Sequence, residues 1–170
     1  GKVFGEELAR IGWVGDEKVG ARNIHAMFEL HIEQGPILEA EGKEIGVVTH
    51  GQGLWWLEIT LTGKEAHTGS TPMNMRVNAG LGMARITERV HQIAVSHQPN
   101  AVGAVGQVKV FPNSRNVIPG RVVFTVDIRS PEQGKLDAMK AEVLRAAHAV
   151  ATELGLGCDV EDVGHFDPVT

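Results

Sequence analysis

Apolar and polar residues alternate along the second half of the chain, and this alternation predicts β-strands with one buried face. The two clearest strands cover residues 54–62 and 121–129, and apolar segments at 102–111 and 157–163 predict two more. The positions predicted to face inward are Trp55, Leu57, Ile59 and Leu61 in the first strand, and Val122, Phe124, Val126 and Ile128 in the other. The pattern therefore indicates a four-stranded sheet.

Two long segments carry apolar residues at spacings of three and four, which predicts amphipathic helices. The first covers about residues 75–97. The second is predicted to have Ser130 at its cap, Pro131 at its first position and Gln133 completing a capping box. Gly155 is expected to end this helix, because glycine adopts the left-handed conformation that stops helices.

The order of these elements is β-α-β-β-α-β, which is typical of a ferredoxin-like α+β domain. Such a domain has a four-stranded antiparallel sheet with both helices on one face. We predict this domain over residues 53–165, with residues 166–170 as a return linker. Residues 1–52 are assigned to a different domain, because Gly51-Gln52-Gly53 interrupts the pattern.

Residues 1–52 contain less regular elements. We predict a short helix over residues 6–13 and a buried strand over residues 25–31. A short helix opened by Pro36 and a second strand over residues 44–50 follow.

Composition excludes several classes of function. A formal net charge of −5 without any basic run argues against nucleic-acid binding. No apolar stretch approaches the ~20 residues of a membrane span, and the first thirty residues lack a signal pattern, so a cytoplasmic protein is expected. The single cysteine, Cys158, cannot form an internal disulfide or a thiolate metal site. Because the chain starts at Gly1 and stops without a tail, we expect a piece of a longer protein.

Two histidines are candidates for chemistry. His31 ends the predicted strand before Gly35-Pro36, where an imidazole could bind a metal ion or serve a purely structural role. His67 lies in a loop of small residues, where it could donate a hydrogen bond to a developing oxyanion. An exposed loop histidine without function is the alternative.

Asn116 and Arg129 are candidates for binding a carboxylate. Arg129 is predicted on the outward face of its strand, where its guanidinium can hold a carboxylate through two parallel hydrogen bonds. Asn116 could add a donor beside it. The alternatives are an ion pair between Arg129 and Asp127, and an Asn116 that only shapes its turn.

Four motifs in this order resemble the hydantoinase/carbamoylase family of metal-dependent amidohydrolases. The family includes N-carbamoyl-L-amino acid hydrolases, β-ureidopropionases and allantoate amidohydrolases. The motifs are His-Ile-Glu-Gln-Gly-Pro at 31–36, Gly-Lys-Glu-Ala-His-Thr-Gly-Ser-Thr-Pro-Met at 63–73, Asn-Val-Ile-Pro-Gly at 116–120 and Asp-Ile-Arg at 127–129. The resemblance covers the chain from about His25 onward.

The resemblance implies a role for each matching residue. His31 corresponds to a metal ligand, and Gln34 to a glutamine that contacts the substrate. His67 corresponds to the lid histidine that stabilises the tetrahedral intermediate, often in the active site of the partner subunit. Asn116 and Arg129 correspond to the pair that holds the substrate carboxylate.

The resemblance also implies an architecture, cofactors and partners. Residues 53–165 would be the lid, or dimerisation, domain, and residues 1–52 a fragment of an α/β catalytic domain. The parent enzyme would bind two divalent ions, zinc or manganese, act on a ureido acid and form a homodimer through the lid.

Departures from the family pattern limit what this chain can do alone. The His-x-Asp motif and the Glu-Glu pair expected upstream are missing, because His165-Phe166-Asp167 lies at the wrong end and Glu6-Glu7 lies on a predicted surface helix. We therefore expect the isolated chain to bind no stable two-metal centre and to hydrolyse nothing.

Two alternatives stay open. One is an aminoacylase or metallopeptidase relative, although such peptidases tend to have an acidic ligand where His-Ile-Glu-Gln stands. The other is a non-catalytic dimerisation module.

Overall fold

The computed structural model describes residues 1–169, which divide into two compact units. The first unit is Gly1–Gly46, and the second begins at Val47. In residues 1–169 no helix has both the length and the apolar character that crossing a membrane requires.

The first unit contains two short helices, α1 (Phe4–Arg10) and α2 (Ile37–Ala40). Both were predicted, α1 with slightly different bounds, and Pro36 lies directly before α2 as expected. The carboxylate of Glu33 accepts the N–H groups of Ile37 and Leu38 at 3.0 and 3.1 Å. This carboxylate therefore caps the first turn of α2.

The two strands predicted in this part of the chain are wrong. Residues 25–31 and 44–50 form no strand, and their side chains are exposed, Phe28 and Leu30 almost completely. A strand exists only where a neighbouring strand accepts and donates its backbone hydrogen bonds. The described residues provide no such neighbour for either segment, so the apolar pattern alone does not produce a strand.

The second unit has the predicted β-α-β-β-α-β order, together with two short strands that the sequence does not predict. Its strands and helices are β1 (Gly53–Thr62), β2 (Ala66–His67), α3 (Ala79–Ser96), β3 (Val102–Phe111), β4 (Val117–Ile118), β5 (Arg121–Ser130), α4 (Gln133–Leu154) and β6 (Gly157–Phe166). The main sheet has the order β3-β5-β1-β6, and all neighbouring strands are antiparallel. This topology confirms the α+β, ferredoxin-like prediction.

One face of the sheet packs against both helices and forms the core. The predicted inward positions of β5 and three of the four on β1 are completely buried, and Trp55 is partly buried against them. Helices α3 and α4 both contact β1 and β5 and pack on each other. Side chains on the opposite face, which we call the open face, remain partly exposed, and they include Trp56, Asp127 and Arg129.

Helix α3 begins at Ala79, four residues later than predicted. The side chain of Asn78 accepts hydrogen bonds from the N–H groups of Gly80 and Leu81 at 2.9 and 3.2 Å, which fixes the start of the helix. Before it, Met73–Met75 forms only a 3-10 turn.

The capping box predicted for α4 is also wrong. Ser130 is the last residue of β5, and its hydroxyl accepts the N–H of Glu132 rather than that of Gln133. The Gln133 side chain donates instead to Asp137. The predicted end of α4 is confirmed, because Gly155 has a φ of 67° in the left-handed region.

Candidate functional site

The loops that carry His67 and Asn116 are joined to each other. Strand β2 pairs with β4, which places His67 opposite Val117. The N–H of Thr68 also donates to the carbonyl oxygen of Asn116 at 2.9 Å. Two residues that are 49 positions apart in the sequence therefore lie side by side at one end of the sheet.

The imidazole of His67 is oriented by its own loop. Its Nδ1 accepts the backbone N–H of Gly69 at 3.2 Å and lies 3.2 Å from the hydroxyl of Ser70. Because a backbone N–H can only donate, Nδ1 must carry a lone pair, and the proton of the neutral ring is on Nε2. The exposed ring therefore offers Nε2–H as a hydrogen-bond donor.

Asn116 has a similar arrangement. The hydroxyl of Ser114 donates to its Oδ1 at 2.8 Å, so the side-chain amide group keeps its two N–H donors for another acceptor. The side chain is exposed. His67 and Asn116 together present donors and no negative charge, which suits an electron-rich oxygen.

Arg76 holds the His67 loop, a role that the sequence analysis missed. Its Nε donates to the carbonyl oxygen of Thr71 at 3.1 Å, and its Nη2 donates to the carbonyl oxygens of Thr68 and Thr71 at 2.8 and 2.9 Å. One guanidinium therefore connects both sides of the loop. No residue pattern reveals this role, because the partners are backbone carbonyls that any residue would supply.

Arg129 lies on the open face and is paired with Asp127. Its Nε and Nη2 donate to the two carboxylate oxygens at 2.9 and 2.6 Å. The hydrogen bonds that Arg129 donates to Asp127 raise the pKa of its guanidinium and outweigh the opposite effect of burial, and the negative charge of Asp127 adds a smaller contribution. The alternative ion pair is thus present, and the hydrogen bonds to Asp127 use Nε and Nη2 of Arg129 and not Nη1.

Arg129 and Asn116 do not lie together within one chain. Arg129 is at the far end of β5, whereas Asn116 precedes the start of that strand at Arg121. Eight residues of strand at roughly 3.3 Å each separate Arg129 from Arg121 by about 26 Å. The expectation that Asn116 adds a donor beside Arg129 is therefore wrong for a single chain.

His31 and Gln34 belong to the first unit. Both are exposed, and Gln34 has a φ of 56°, a left-handed conformation that is uncommon for a residue other than glycine. His31 follows no strand, contrary to its predicted place at the end of one. Its Nδ1 contacts the carbonyl oxygen of Ile32.

The described residues do not assemble a metal site. Within residues 1–169 no three His, Cys, Asp or Glu side chains lie close enough together to hold an ion. His31 offers a single imidazole, whereas a protein metal site of this class needs at least three ligands.

The fold and these loops define a ferredoxin-like domain with a donor-rich loop pair at one end of its sheet, and comparisons with known proteins agree. Residues 49–153 match the family described as "Peptidase dimerisation domain". The chain is 70% identical to an N-carbamoyl-L-amino-acid amidohydrolase of Rhizobium meliloti over 100% of this chain and 41% of that protein. It is 34% identical to an allantoate amidohydrolase of Escherichia coli (strain K12) over 82% of this chain and 34% of that protein.

Solved structures give the same result. A crystal structure of an amidase of the hydantoinase/carbamoylase family from Burkholderia multivorans superimposes with a TM-score of 0.93 at 52% identity, over 100% of this chain and 41% of that one. The chain belongs to the peptidase dimerisation domain family. Its similarity to amidases of the hydantoinase/carbamoylase family confirms the resemblance that the four motifs indicate. It spans about two fifths of the length of the first relatives that it matches.

Proposed function

We propose that this chain is the lid and part of the catalytic domain of a metal-dependent amidohydrolase. The parent enzyme hydrolyses the carbamoyl C–N bond of N-carbamoyl-L-amino acids or similar ureido acids. The 70% identity to an N-carbamoyl-L-amino-acid amidohydrolase supports the reaction. The proposed role of His67 rests on the hydrogen bond from the N–H of Gly69 to its Nδ1. This bond leaves Nε2–H of His67 free to donate to the substrate.

In this proposal His67 stabilises the tetrahedral intermediate. When water adds to the carbamoyl carbon, negative charge develops on the carbonyl oxygen. Nε2–H of His67 donates a hydrogen bond to that oxygen. A donor held in place before the reaction contributes about 3–4 kcal/mol to the transition state in comparable sites. Arg76 fixes the loop, so the imidazole does not have to reorganise during the reaction.

Asn116 and Arg129 are the pair that holds the substrate carboxylate in this proposal. Nη1 of Arg129 binds the substrate carboxylate, and Asp127 keeps the guanidinium in position. The side-chain amide of Asn116, which lies close to His67, donates its N–H groups to the substrate. Gln34 is assigned to a further substrate contact on the catalytic-domain side.

The separation of Arg129 from His67 and Asn116 supports a shared active site. An N-carbamoyl amino acid is about two residues long, roughly 7 Å, whereas these groups lie at opposite ends of β5 in one chain. One substrate can touch both only if they come from different protomers. We therefore propose a homodimer through the lid in which His67 and Asn116 enter the site that contains the partner's Arg129.

The remaining assignments are part of the same proposal. Residues 1–52 belong to the catalytic domain, 53–165 to the lid and 166–170 to the return linker. The parent enzyme binds two divalent ions, zinc or manganese, with His31 as one ligand and the others outside this chain. The isolated chain is then inactive. A cytoplasmic location stays a prediction.

The test is ammonia release by the metal-loaded, full-length parent enzyme from N-carbamoyl-L-amino acids, β-ureidopropionate and allantoate. We expect release from at least one of them and a fall in kcat of about 10²–10³-fold in His67→Ala. His148→Ala is the matched control, because His148 is an exposed histidine on α4. Full activity of His67→Ala would contradict the assigned role.

The same assay separates the alternatives. An N-acetyl amino acid and a dipeptide test for an aminoacylase or peptidase, and turnover of these without any ureido substrate would replace the proposed reaction. Arg129→Lys should raise KM because lysine keeps the charge but loses the planar fork of donors. No turnover of any substrate would leave a non-catalytic dimerisation module.

A further inference from the structure

A cavity of about 300 Å³ lies on the open face of the sheet, and its lining includes Asp127, the ion-pair partner of Arg129. It is lined by Trp56, Gly106, Thr125, Val126, Asp127 and Val163, and we call it the Trp56 pocket. Trp56 and Asp127 are direct partners across β1 and β5, so their side chains share the open face.

Two irregularities in the strands create the pocket. The pairing of β3 with β5 shifts between Val105 and Val108, and Gly106 in this bulge has no side chain to fill the space. A second shift, in the pairing of β1 with β6, leaves Val163 as an extra residue.

Gly164 allows the indole of Trp56 to lie across β6. A Cβ atom added to Gly164 would be only 2.9 Å from Cε3 of the ring, so any other residue would push the indole away. The ring therefore has a defined position as one wall of the pocket, although 42% of Trp56 is exposed.

The polar groups of the pocket already have partners. The Asp127 carboxylate is bound by Arg129, and the Thr125 hydroxyl accepts the N–H of Gln107 at 3.0 Å. What remains is the apolar surface of Trp56 and Val163, the latter 51% exposed. Burying this surface under an apolar group is favourable in free energy, whereas a polar group placed there would find few hydrogen-bond partners.

We propose that the Trp56 pocket receives the side chain of the substrate and selects ureido acids with a bulky apolar side chain. This inference depends on the proposed role of Arg129. Asp127 lies between the pocket and the guanidinium, and Arg129 is two residues, about 7 Å, farther along the strand. A substrate whose carboxylate contacts Nη1 thus has its Cα substituent within reach of the indole. The volume of about 300 Å³ lies at the lower end of the range of small-molecule pockets.

The kinetic test compares N-carbamoyl-L-phenylalanine with N-carbamoylglycine in the full-length, metal-loaded parent enzyme. Trp56→Ala should lower kcat/KM for the phenylalanine substrate at least about tenfold more than for the glycine substrate. Gly106→Leu fills the pocket without a positive φ, and it should give the same selective loss. Thr60→Ala, on the same face but outside the pocket lining, should leave the ratio unchanged.

A binding measurement separates this inference from the proposed reaction. We expect calorimetry to show tighter binding of 3-phenylpropanoate than of propanoate, and loss of this preference in Trp56→Ala and Gly106→Leu. One outcome is a parent enzyme that turns over no ureido acid but still prefers 3-phenylpropanoate, with the preference lost in both variants. In that case the proposed reaction is wrong and the proposed pocket is supported. If turnover occurs but neither variant changes the substrate ratio, the pocket is wrong and the reaction stands.

Discussion

Nδ1 of His67 accepts a hydrogen bond of 3.2 Å from the backbone N–H of Gly69, so the loop itself selects the tautomer of its histidine. A donor for an oxyanion is useful only if it is held in place before charge develops. In the proposed mechanism, the contribution of His67 therefore depends on the rigidity of its loop, which Arg76 holds.

Arg76→Ala should lower kcat of the parent enzyme about tenfold to hundredfold with little change in KM, because a loop displaced by about 1 Å misplaces the imidazole. Arg76→Lys should recover little, since one ammonium cannot contact both Thr68 and Thr71 as the guanidinium does. Arg85→Ala, which breaks only the exposed pair with Glu153, is the control. Equal kcat values for the Arg76 and Arg85 variants would show that Arg76 does not position His67.

Two glycines should respond to alanine with opposite signs. A Cβ on Gly63 would be 2.2 Å from the carbonyl oxygen of Val77, so Gly63→Ala should lower the free energy of unfolding by about 2–3 kcal/mol. Gly134 lies near the start of α4 with no atom within 4 Å of the added Cβ, and Gly134→Ala should raise it by about 0.5–1 kcal/mol. Urea unfolding of the 170-residue chain measures both, and a destabilised Gly134→Ala would contradict the helix as described.

The two faces of β5 should differ in sensitivity. Phe124 is completely buried under the helices, and Phe124→Ala should lower the free energy of unfolding by about 3–5 kcal/mol. Val123→Ala changes the preceding residue, which lies on the open face, and should lower the free energy of unfolding by less than about 1 kcal/mol. Similar losses in the two variants would mean that the sheet is covered on both faces or on neither.

The thiol of Cys158 should react slowly with disulfide reagents in the folded chain. Burial, with a smaller contribution from the charge of Asp159, raises the pKa of the Cys158 thiol. A raised pKa leaves less thiolate at pH 8, and the thiolate is the reactive form. A chromogenic disulfide reagent should react several-fold more slowly with the native chain than with the urea-unfolded chain, and the native rate should increase with pH. Equal rates would contradict the burial of this residue.

The sequence predicts the second unit well because its signals are local and agree with the packing. The alternation along β5 identifies its buried face, since each inward residue contacts the same helical layer. The start of α3 is harder to place, because the apolar pattern continues through Met75 whereas the Asn78 side chain determines where the helix begins.

The errors concern relationships between segments. An apolar run such as residues 25–31 indicates burial, but a strand also needs a partner that sequence pattern does not specify. The expectation that Asn116 adds a donor beside Arg129 rests on the chemistry of the two side chains, whereas most of β5 lies between them in one chain. The sequence does not predict the contacts of Arg76, because their acceptors are backbone carbonyls.

In the proposed dimer, His67 of one protomer and Arg129 of the other act on the same substrate. Mixing two full-length parent variants, His67→Ala and Arg129→Ala, under conditions that exchange subunits tests this shared site. Half of the dimers are then mixed, and each mixed dimer has one site with both groups intact, so activity should recover to about a quarter of the wild-type value. Activity that stays at the level of the two separate variants would contradict the shared site. It would mean that His67 and Arg129 of one subunit act in the same active site.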